Sequence, residues 1–150
     1  MALKEQINND LKAALLGGNR FVADTLRNLK AAILNEEVAL GRRDEGLGDA
    51  EIEGIIAREV KKRGESKALY DQNGRPELAE IEQKEIDVLV AYLPQQLTED
   101  EVQTVINEVI AEIGATDMKA MGQVIGAVKA RTGTAADGAT VAKLVKTTLQ

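Results

Sequence analysis

The 150-residue sequence contains no cysteine and no histidine. Their absence excludes disulfide bonds, zinc sites of the usual Cys/His type, cysteine nucleophiles and histidine general bases. Ser66 is the only serine, so a catalytic pair of serines is excluded too. The sequence also lacks a glycine-rich phosphate loop followed by Lys and Ser or Thr. We therefore predict no cofactor and no metal site, and no residue stands out as catalytic.

Aromatic residues make up only 2% of the chain, although 44% of the residues are hydrophobic. The core must therefore consist of Leu, Ile, Val and Ala, which favours helices packed on helices. The same scarcity argues against a base-stacking surface for nucleic acid, because such a surface needs exposed aromatic rings.

No signal peptide and no apolar run of about 18 residues is visible in the sequence. We therefore expect a cytoplasmic protein that does not enter a membrane.

The two prolines, Pro76 and Pro94, organise the chain. Pro76 suits the first turn of a helix, and the residue before Pro94 is pushed out of the helical region, so one helix is predicted between them. Thr98 and Glu101 then form a capping-box pattern that begins the next helix. The sequence predicts an all-α protein with a four-helix N-terminal domain over residues 1–94 and a small three-helix C-terminal domain over residues 95–150.

The second and third helices of the first domain have recognisable patterns. The apolar face predicted for the second helix ends at Leu40, and Asp49 can cap the third helix. The five positions of the second helix's face are Val22, Leu26, Leu29, Ile33 and Leu40.

The apolar faces of the third and fourth helices are each interrupted by polar residues. A short turn makes these helices antiparallel neighbours, so we predict a charge cluster of Arg63 and Lys67 with Glu82 and Glu85. Such a cluster either fixes the register of the two helices or supplies a catalytic carboxylate pair. The structural interpretation is favoured, because basic neighbours hold carboxylates ionised.

The net charge of −6 is unevenly distributed. Residues 115–150 carry a net charge of +3, whereas residues 1–114 carry −9. Such a split indicates either a tail that meets an anionic partner or ordinary surface lysines. The candidate RNA-binding residues are Lys119, Lys129, Arg131, Lys143 and Lys146.

Two glycines, Gly122 and Gly126, are four residues apart in a predicted helix. Glycine costs about 1 kcal/mol against alanine inside a helix, so we expect close packing of another backbone as compensation, or a surface where an RNA backbone comes near. Asp137 is predicted to cap the last helix, although a helix N-terminus can also bind phosphate.

Several segments resemble the YqeY family. They are KKRGES at residues 61–66, GRPELAEIEQKEIDVLVAYLPQQLTEDEV at 74–102, MKAMGQVIGAVKA at 118–130 and GTAADGATVAKLVKTTL at 133–149. The C-terminal part also resembles the tail domain of GatB, a subunit of the glutamine-dependent tRNA amidotransferase. The resemblance implies a helical N-terminal domain, a three-helix tail that helps to hold tRNA, and carbon–nitrogen ligase activity with glutamine as amido-N-donor.

Because no catalytic constellation is present, that ligase chemistry would have to belong to a partner. The sequence thus predicts a non-catalytic module that binds tRNA or associates with tRNA amidotransferase subunits. The alternative is a helical adaptor that binds another protein without RNA. Whether the chain has any enzymatic activity of its own stays open.

Overall fold

The computed structural model describes residues 2–150, which form seven α-helices and no β-strand. Two single 3₁₀ turns, Met118–Ala120 and Gly133–Ala135, flank the sixth helix. The predicted all-α class is therefore confirmed. The α-helices are α1 (Leu3–Leu16), α2 (Arg20–Ala39), α3 (Asp49–Gln72), α4 (Pro76–Val90), α5 (Glu99–Ile113), α6 (Met121–Thr132) and α7 (Gly138–Leu149).

The chain divides into two compact units, Met1–Leu93 and Pro94–Gln150. The division lies one residue before the boundary expected from the sequence. That each unit folds independently stays a prediction.

The core of the first unit is built from aliphatic side chains of its four helices and of the loop before α3. Burying each Leu or Ile contributes about 1.5–3 kcal/mol, so these contacts provide the main favourable free energy of this unit. The buried residues are Leu3, Ile7, Leu11, Ala14, Ala23, Leu26, Leu29, Ile33, Leu47, Ile52, Ile55, Ile56 and Leu89.

The apolar face of α2 differs from the prediction at its C-terminal end. Leu40 is 51% exposed, and Glu37 is buried instead, at 2% exposure. Glu37 follows Ile33 by four residues and so continues the same face. The helix ends at Ala39, and Leu40 is the capping residue, which is why it leaves the core.

Asp49 also has a different role from the one expected. Gly48 is the N-cap of α3 and Asp49 is its first helical residue. The Asp49 carboxylate accepts a hydrogen bond from the backbone N–H of Leu3 at 2.9 Å. It therefore satisfies a free donor at the start of α1.

The C-terminal half of α3 packs against α4 and contains no buried residue. The buried residues of α3 all lie in its first eight positions, between Ile52 and Ile56. Those of α4 are Ala79 and Leu89. Residues 57–88 thus form a helical hairpin with little apolar burial of its own.

The end of α4 is attached to α1 by a side-chain hydrogen bond. Tyr92 lies just beyond the helix and donates its hydroxyl to the Asp10 carboxylate at 2.6 Å. Burial and this hydrogen bond raise the pKa of Tyr92 above its usual range.

The second unit has a separate aliphatic core formed by α5, α6 and α7. Gly114, with φ of 76°, ends α5 in the left-handed conformation that favours glycine. The buried residues are Val102, Ile106, Val109, Val124, Val128, Val141, Val145 and Leu149.

Candidate functional site

Four of the five candidate RNA-binding residues are exposed lysines of the second unit. Lys119 precedes α6, Lys129 lies in its last turn, and Lys143 and Lys146 lie three residues apart on α7. None of the four forms an ion pair with any residue between 2 and 150. Their charges are therefore available to an anionic partner.

Arg131 differs from these lysines because acidic residues of α5 already surround it. Its guanidinium is 2.6 Å from the Glu108 carboxylate and 3.9 Å from that of Glu112. Both partners are exposed, so each pair is worth less than about 1 kcal/mol. The pairing nevertheless neutralises Arg131 and leaves four unpaired lysines as candidates.

The side chain of Lys129 extends toward the start of α7. A Cβ added to Gly138, the first residue of that helix, would lie 3.6 Å from both Cε and Nζ of Lys129. The Lys129 ammonium therefore lies close to the first residue of α7, the helix that also carries Lys143 and Lys146.

Gly122 and Gly126 are exposed on α6, and a Cβ added to either would have no atom within 4 Å in the described part of the chain. No other described part of this chain therefore packs closely against these glycines, and the close approach of another backbone stays a prediction. The core contacts of α6 come from Val124 and Val128, on another face of the helix. The two glycines leave a bare stretch of helix backbone at the surface.

Gly122, Gly126 and Lys129 are spaced by four and three residues on α6, and this spacing puts them on one face of the helix. Lys119 lies in the 3₁₀ turn that precedes α6. The bare backbone of α6 thus lies between Lys129 in the helix and Lys119 in the preceding turn, both without ion-pair partners among the described residues. We call these four residues the α6 face.

The two predicted caps accept hydrogen bonds at the starts of their helices. Thr98 Oγ1 accepts from the Glu101 N–H at 3.2 Å, and Glu101 in turn accepts from the Thr98 N–H at 3.3 Å. Asp137 accepts from the Thr140 N–H at 3.1 Å. Because a carboxylate already occupies the N-terminus of α7, a phosphate would be repelled from that position.

The predicted charge cluster of the first unit is centred on Arg63. Its Nε donates to Glu85 at 2.7 Å, and its Nη1 donates to the Glu59 carboxylate at 3.2 Å. The Arg63 side chain is 14% exposed and that of Glu85 is 24% exposed. This partly buried pair links α3 to α4.

Lys67 and Glu82 do not take the predicted partners. Lys67 Nζ donates to the side-chain oxygen of Gln83 at 2.9 Å, and Glu82 makes no ion pair within residues 2–150. On α4, Gln83 and not Glu82 therefore lies beside Lys67. Glu82 lies close enough to Glu85 and Arg63 to be affected by their charges. Desolvation and the neighbouring Glu85 charge raise the pKa of Glu82, although the Arg63 charge opposes the shift.

Glu37 is the charged residue that the sequence analysis missed. Its Oε2 accepts from Lys4 Nζ at 2.8 Å and from the Leu47 N–H at 3.1 Å. The hydrogen bond from Lys4 is the main reason that the pKa of Glu37 lies below its ordinary value, and the bond from Leu47 adds to it. The sequence did contain a sign of this burial: Glu37 follows Leu29 and Ile33 at intervals of four residues, where the apolar face of α2 would require another apolar residue.

No group of three or more acidic side chains within the described range could hold a metal ion. No helix in that range is long and apolar enough to cross a lipid bilayer.

Comparison with known proteins gives one family and several relatives. The family described as "Yqey-like protein" matches residues 4–149. A protein of Clavispora lusitaniae named "Altered inheritance of mitochondria protein 41, mitochondrial" is 29% identical over 118 residues, which cover 77% of this chain and 67% of the relative.

Two proteins with the same name are also similar. The one from Vanderwaltozyma polyspora is 27% identical over 75% of this chain and 63% of its own length. The one from Eremothecium gossypii is 33% identical over 58% of this chain and 46% of its own length. The chain thus spans about two thirds or less of the length of these relatives.

Proposed function

Because the chain belongs to the Yqey-like protein family, we propose that it is a non-catalytic module that binds tRNA or associates with tRNA amidotransferase subunits. The observation that carries this proposal is the α6 face, where exposed glycine backbone lies between two lysines without ion-pair partners. Phosphates approach such a surface closely, because no side chain covers the backbone at Gly122 and Gly126.

The charge of the second unit limits how the RNA binds. Residues 94–150 contain five basic and seven acidic residues, and five of the acidic residues lie on α5. An RNA would therefore contact α6 and α7 and avoid α5. With Arg131 paired, four phosphate contacts are the upper limit, and the affinity should depend strongly on salt.

The carbon–nitrogen ligase activity implied by the family resemblance would belong to the partner in this proposal. The chain supplies no thiol and only one serine. Its role would be to hold the RNA while a second protein performs the transfer of nitrogen from glutamine.

The experiment is a titration of the full chain with total tRNA at about 50 mM and about 150 mM monovalent salt. We expect saturable binding that weakens with salt. The double variant Lys143→Gln/Lys146→Gln should lower the log–log salt slope by about 1 per lysine that contacts phosphate. The control Lys61→Gln/Lys62→Gln changes the net charge equally on exposed residues of the first unit and should preserve the slope. Absence of a complex at about 50 mM salt and high micromolar protein would refute RNA binding by this chain alone.

A protein-binding adaptor is the second candidate, and the α3–α4 hairpin favours it. Leu69 is 58% exposed and Ile81 is 45% exposed, at about the level of the hairpin where Lys67 contacts Gln83. Exposed aliphatic side chains on a hairpin with little core of its own suit a protein partner. If the adaptor function is correct, Ile81→Lys should abolish cross-linking to a cellular partner that the lysine double variant retains.

The compartment in which the protein acts stays a prediction. The relatives are named as mitochondrial proteins, whereas the sequence alone suggested the cytoplasm. Both compartments contain tRNA, so the proposed function does not depend on the answer. Fractionation of the source cells, followed by detection of the untagged protein, would decide the location.

A further inference from the structure

An open cavity of about 320 Å³ lies between α2, α3 and α4 in the first unit. Every residue that lines it is polar or charged. Asn28 belongs to α2, and the others belong to the α3–α4 hairpin. The volume is near the lower end of the range for small-molecule sites, which are usually apolar. This lining therefore suits a small, highly polar molecule. The cavity is separate from the α6 face and does not depend on RNA binding.

Arg63 lines this cavity with donors that the rest of the chain does not use. Its Nε donates to Glu85 and its Nη1 to Glu59, whereas its Nη2 donates to no residue in the described part of the chain. Because two carboxylates hold the guanidinium in place, the remaining N–H groups have a fixed direction. A guanidinium matches the geometry of a carboxylate, so a carboxylate is the group that these donors suit best.

Lys62 and Ser66 add two further donors on the α3 side of the cavity. They are four residues apart and therefore lie on one face of the helix. Lys62 is exposed and forms no ion pair within residues 2–150. The Ser66 hydroxyl makes no hydrogen bond in the same range. The α3 side thus presents positive charge and unused donors.

The α4 side of the cavity presents an unused carboxylate. Glu82 accepts no hydrogen bond from any described residue and forms no ion pair there. Arg63 already pairs with Glu59 and Glu85, so the Glu82 charge is left uncompensated. Desolvation and the neighbouring Glu85 charge raise the pKa of Glu82. An ammonium group beside Glu82 would offset both effects.

We propose that this cavity binds a short zwitterion, in which a carboxylate and a primary ammonium group are joined by a few methylene groups. The carboxylate lies beside Arg63 and accepts hydrogen bonds from Lys62 and Ser66. The ammonium donates to Glu82. The axes of packed helices are about 8–10 Å apart, so a short chain between side chains is enough to connect the two sides.

The test is a calorimetric titration of the full chain with 4-aminobutanoate, pentanoate and butylammonium. Pentanoate has a methyl group in place of the ammonium, and butylammonium has one in place of the carboxylate. We expect 4-aminobutanoate to bind at least about fivefold more tightly than either, because each replacement leaves a charged group of the cavity without its partner. Equal affinity of 4-aminobutanoate and either other probe, or no binding of 4-aminobutanoate at about 10 mM, would overturn the proposal.

Two variants of α4 test the ammonium position. Glu82→Gln should weaken binding of 4-aminobutanoate and of butylammonium at least about fivefold and leave pentanoate binding no weaker. This variant should fold, because ionised Glu82 destabilises the folded state. The control Glu80→Gln removes the same charge from an exposed residue outside the cavity and should leave binding unchanged. Equal weakening by both variants, or by neither, would overturn the role of Glu82.

Two variants of α3 test the carboxylate position. Lys62→Gln should weaken binding of 4-aminobutanoate and of pentanoate about two- to fivefold, as expected for an exposed ion pair, and leave butylammonium binding no weaker. The control Lys61→Gln removes the same charge from the neighbouring exposed residue, which does not line the cavity. Equal effects of the two variants on 4-aminobutanoate would overturn the role of Lys62.

Discussion

Glu37 lies on the buried face of α2 and accepts hydrogen bonds from Lys4 of α1 and from the backbone of Leu47. One carboxylate thereby connects two helices and the loop that leads to α3. Lys4 is 43% exposed, whereas the Glu37 side chain is 3% exposed, so the burial cost is borne mainly by the carboxylate. The first predictions concern this residue.

Replacing Glu37 with alanine should lower the free energy of unfolding by about 1–3 kcal/mol, because the Leu47 N–H is then left buried without an acceptor. The control is Glu36→Ala on the same helix, since Glu36 is 4.0 Å from the exposed Arg58. That control should cost less than about 1 kcal/mol. Chemical denaturation of the two variants tests this, and equal losses would contradict it.

The contribution of Glu37 should also depend on pH. Because its pKa is lower in the folded protein than in the unfolded chain, its stabilisation is present above the unfolded pKa of about 4.3. It is lost as pH falls through the folded pKa. The stability difference between wild type and Glu37→Gln should therefore shrink below about pH 4. A difference that stays constant from neutral pH to acid unfolding would refute the role of the charged form.

Glu82 should behave in the opposite direction. Its raised pKa means that its ionised form destabilises the folded state, so its favourable contribution is present at low pH and is lost as pH rises through the folded pKa. Glu82→Gln should consequently raise Tm at neutral pH and have no effect at about pH 3.5. A lowered Tm at neutral pH would show that Glu82 is instead a stabilising partner of Arg63.

The stability lost when Glu85 is replaced measures how much its ion pair with Arg63 contributes to the packing of α3 against α4. Glu85→Ala should cost about 1–2 kcal/mol, between the values for exposed and fully buried pairs, because Arg63 keeps Glu59 as a partner. Glu65→Ala on the exposed side of the same hairpin is the control and should have little effect. Indistinguishable melting temperatures would contradict a structural role for Glu85.

The hydrogen bond between Tyr92 and Asp10 should contribute about 1–2 kcal/mol, because its acceptor is a carboxylate. Tyr92→Phe removes only the donor and should lower stability by that amount. Tyr70→Phe makes the same chemical change at a residue with no side-chain hydrogen bond in the described structure. If both variants lose equal stability, the effect does not arise from Asp10.

The exposed glycines of α6 give a test in which function and stability respond oppositely. Gly122→Ala should stabilise the protein by about 0.5–1 kcal/mol, because alanine favours helix and the added methyl group meets no neighbour. The same change should weaken tRNA binding if phosphates contact the bare backbone. Gly114→Ala is the contrasting control and should destabilise, since its φ of 76° disfavours a side chain. Gly122→Ala with unchanged tRNA affinity would remove the α6 face from the proposed interface.

Part of the candidate interface could be predicted from the sequence, because charge content is a property of composition. The positions of Lys143 and Lys146 on one helix follow from their spacing. The neutralisation of Arg131 could not be predicted, since Glu108 lies on another helix. The spacing of Gly122 and Gly126 showed that they share a face but not whether that face is covered.

The sequence by itself determined the all-α class and those helix ends that carry a proline, a capping side chain or a glycine with positive φ. Those features depend on neighbouring residues only. Pro76 lacks a backbone N–H, and the first turn of a helix leaves its N–H groups without partners in any case. Thr98 and Asp137 accept hydrogen bonds from N–H groups three residues further on, and Gly114 adopts the positive φ that ends a helix. The tertiary structure decided that Glu37 is buried, that Lys67 meets Gln83 and that Glu82 is left without an ion pair. These outcomes depend on how whole helices rotate and align against each other, because a rotation of one residue, about 100°, exchanges one side chain for another at the same contact.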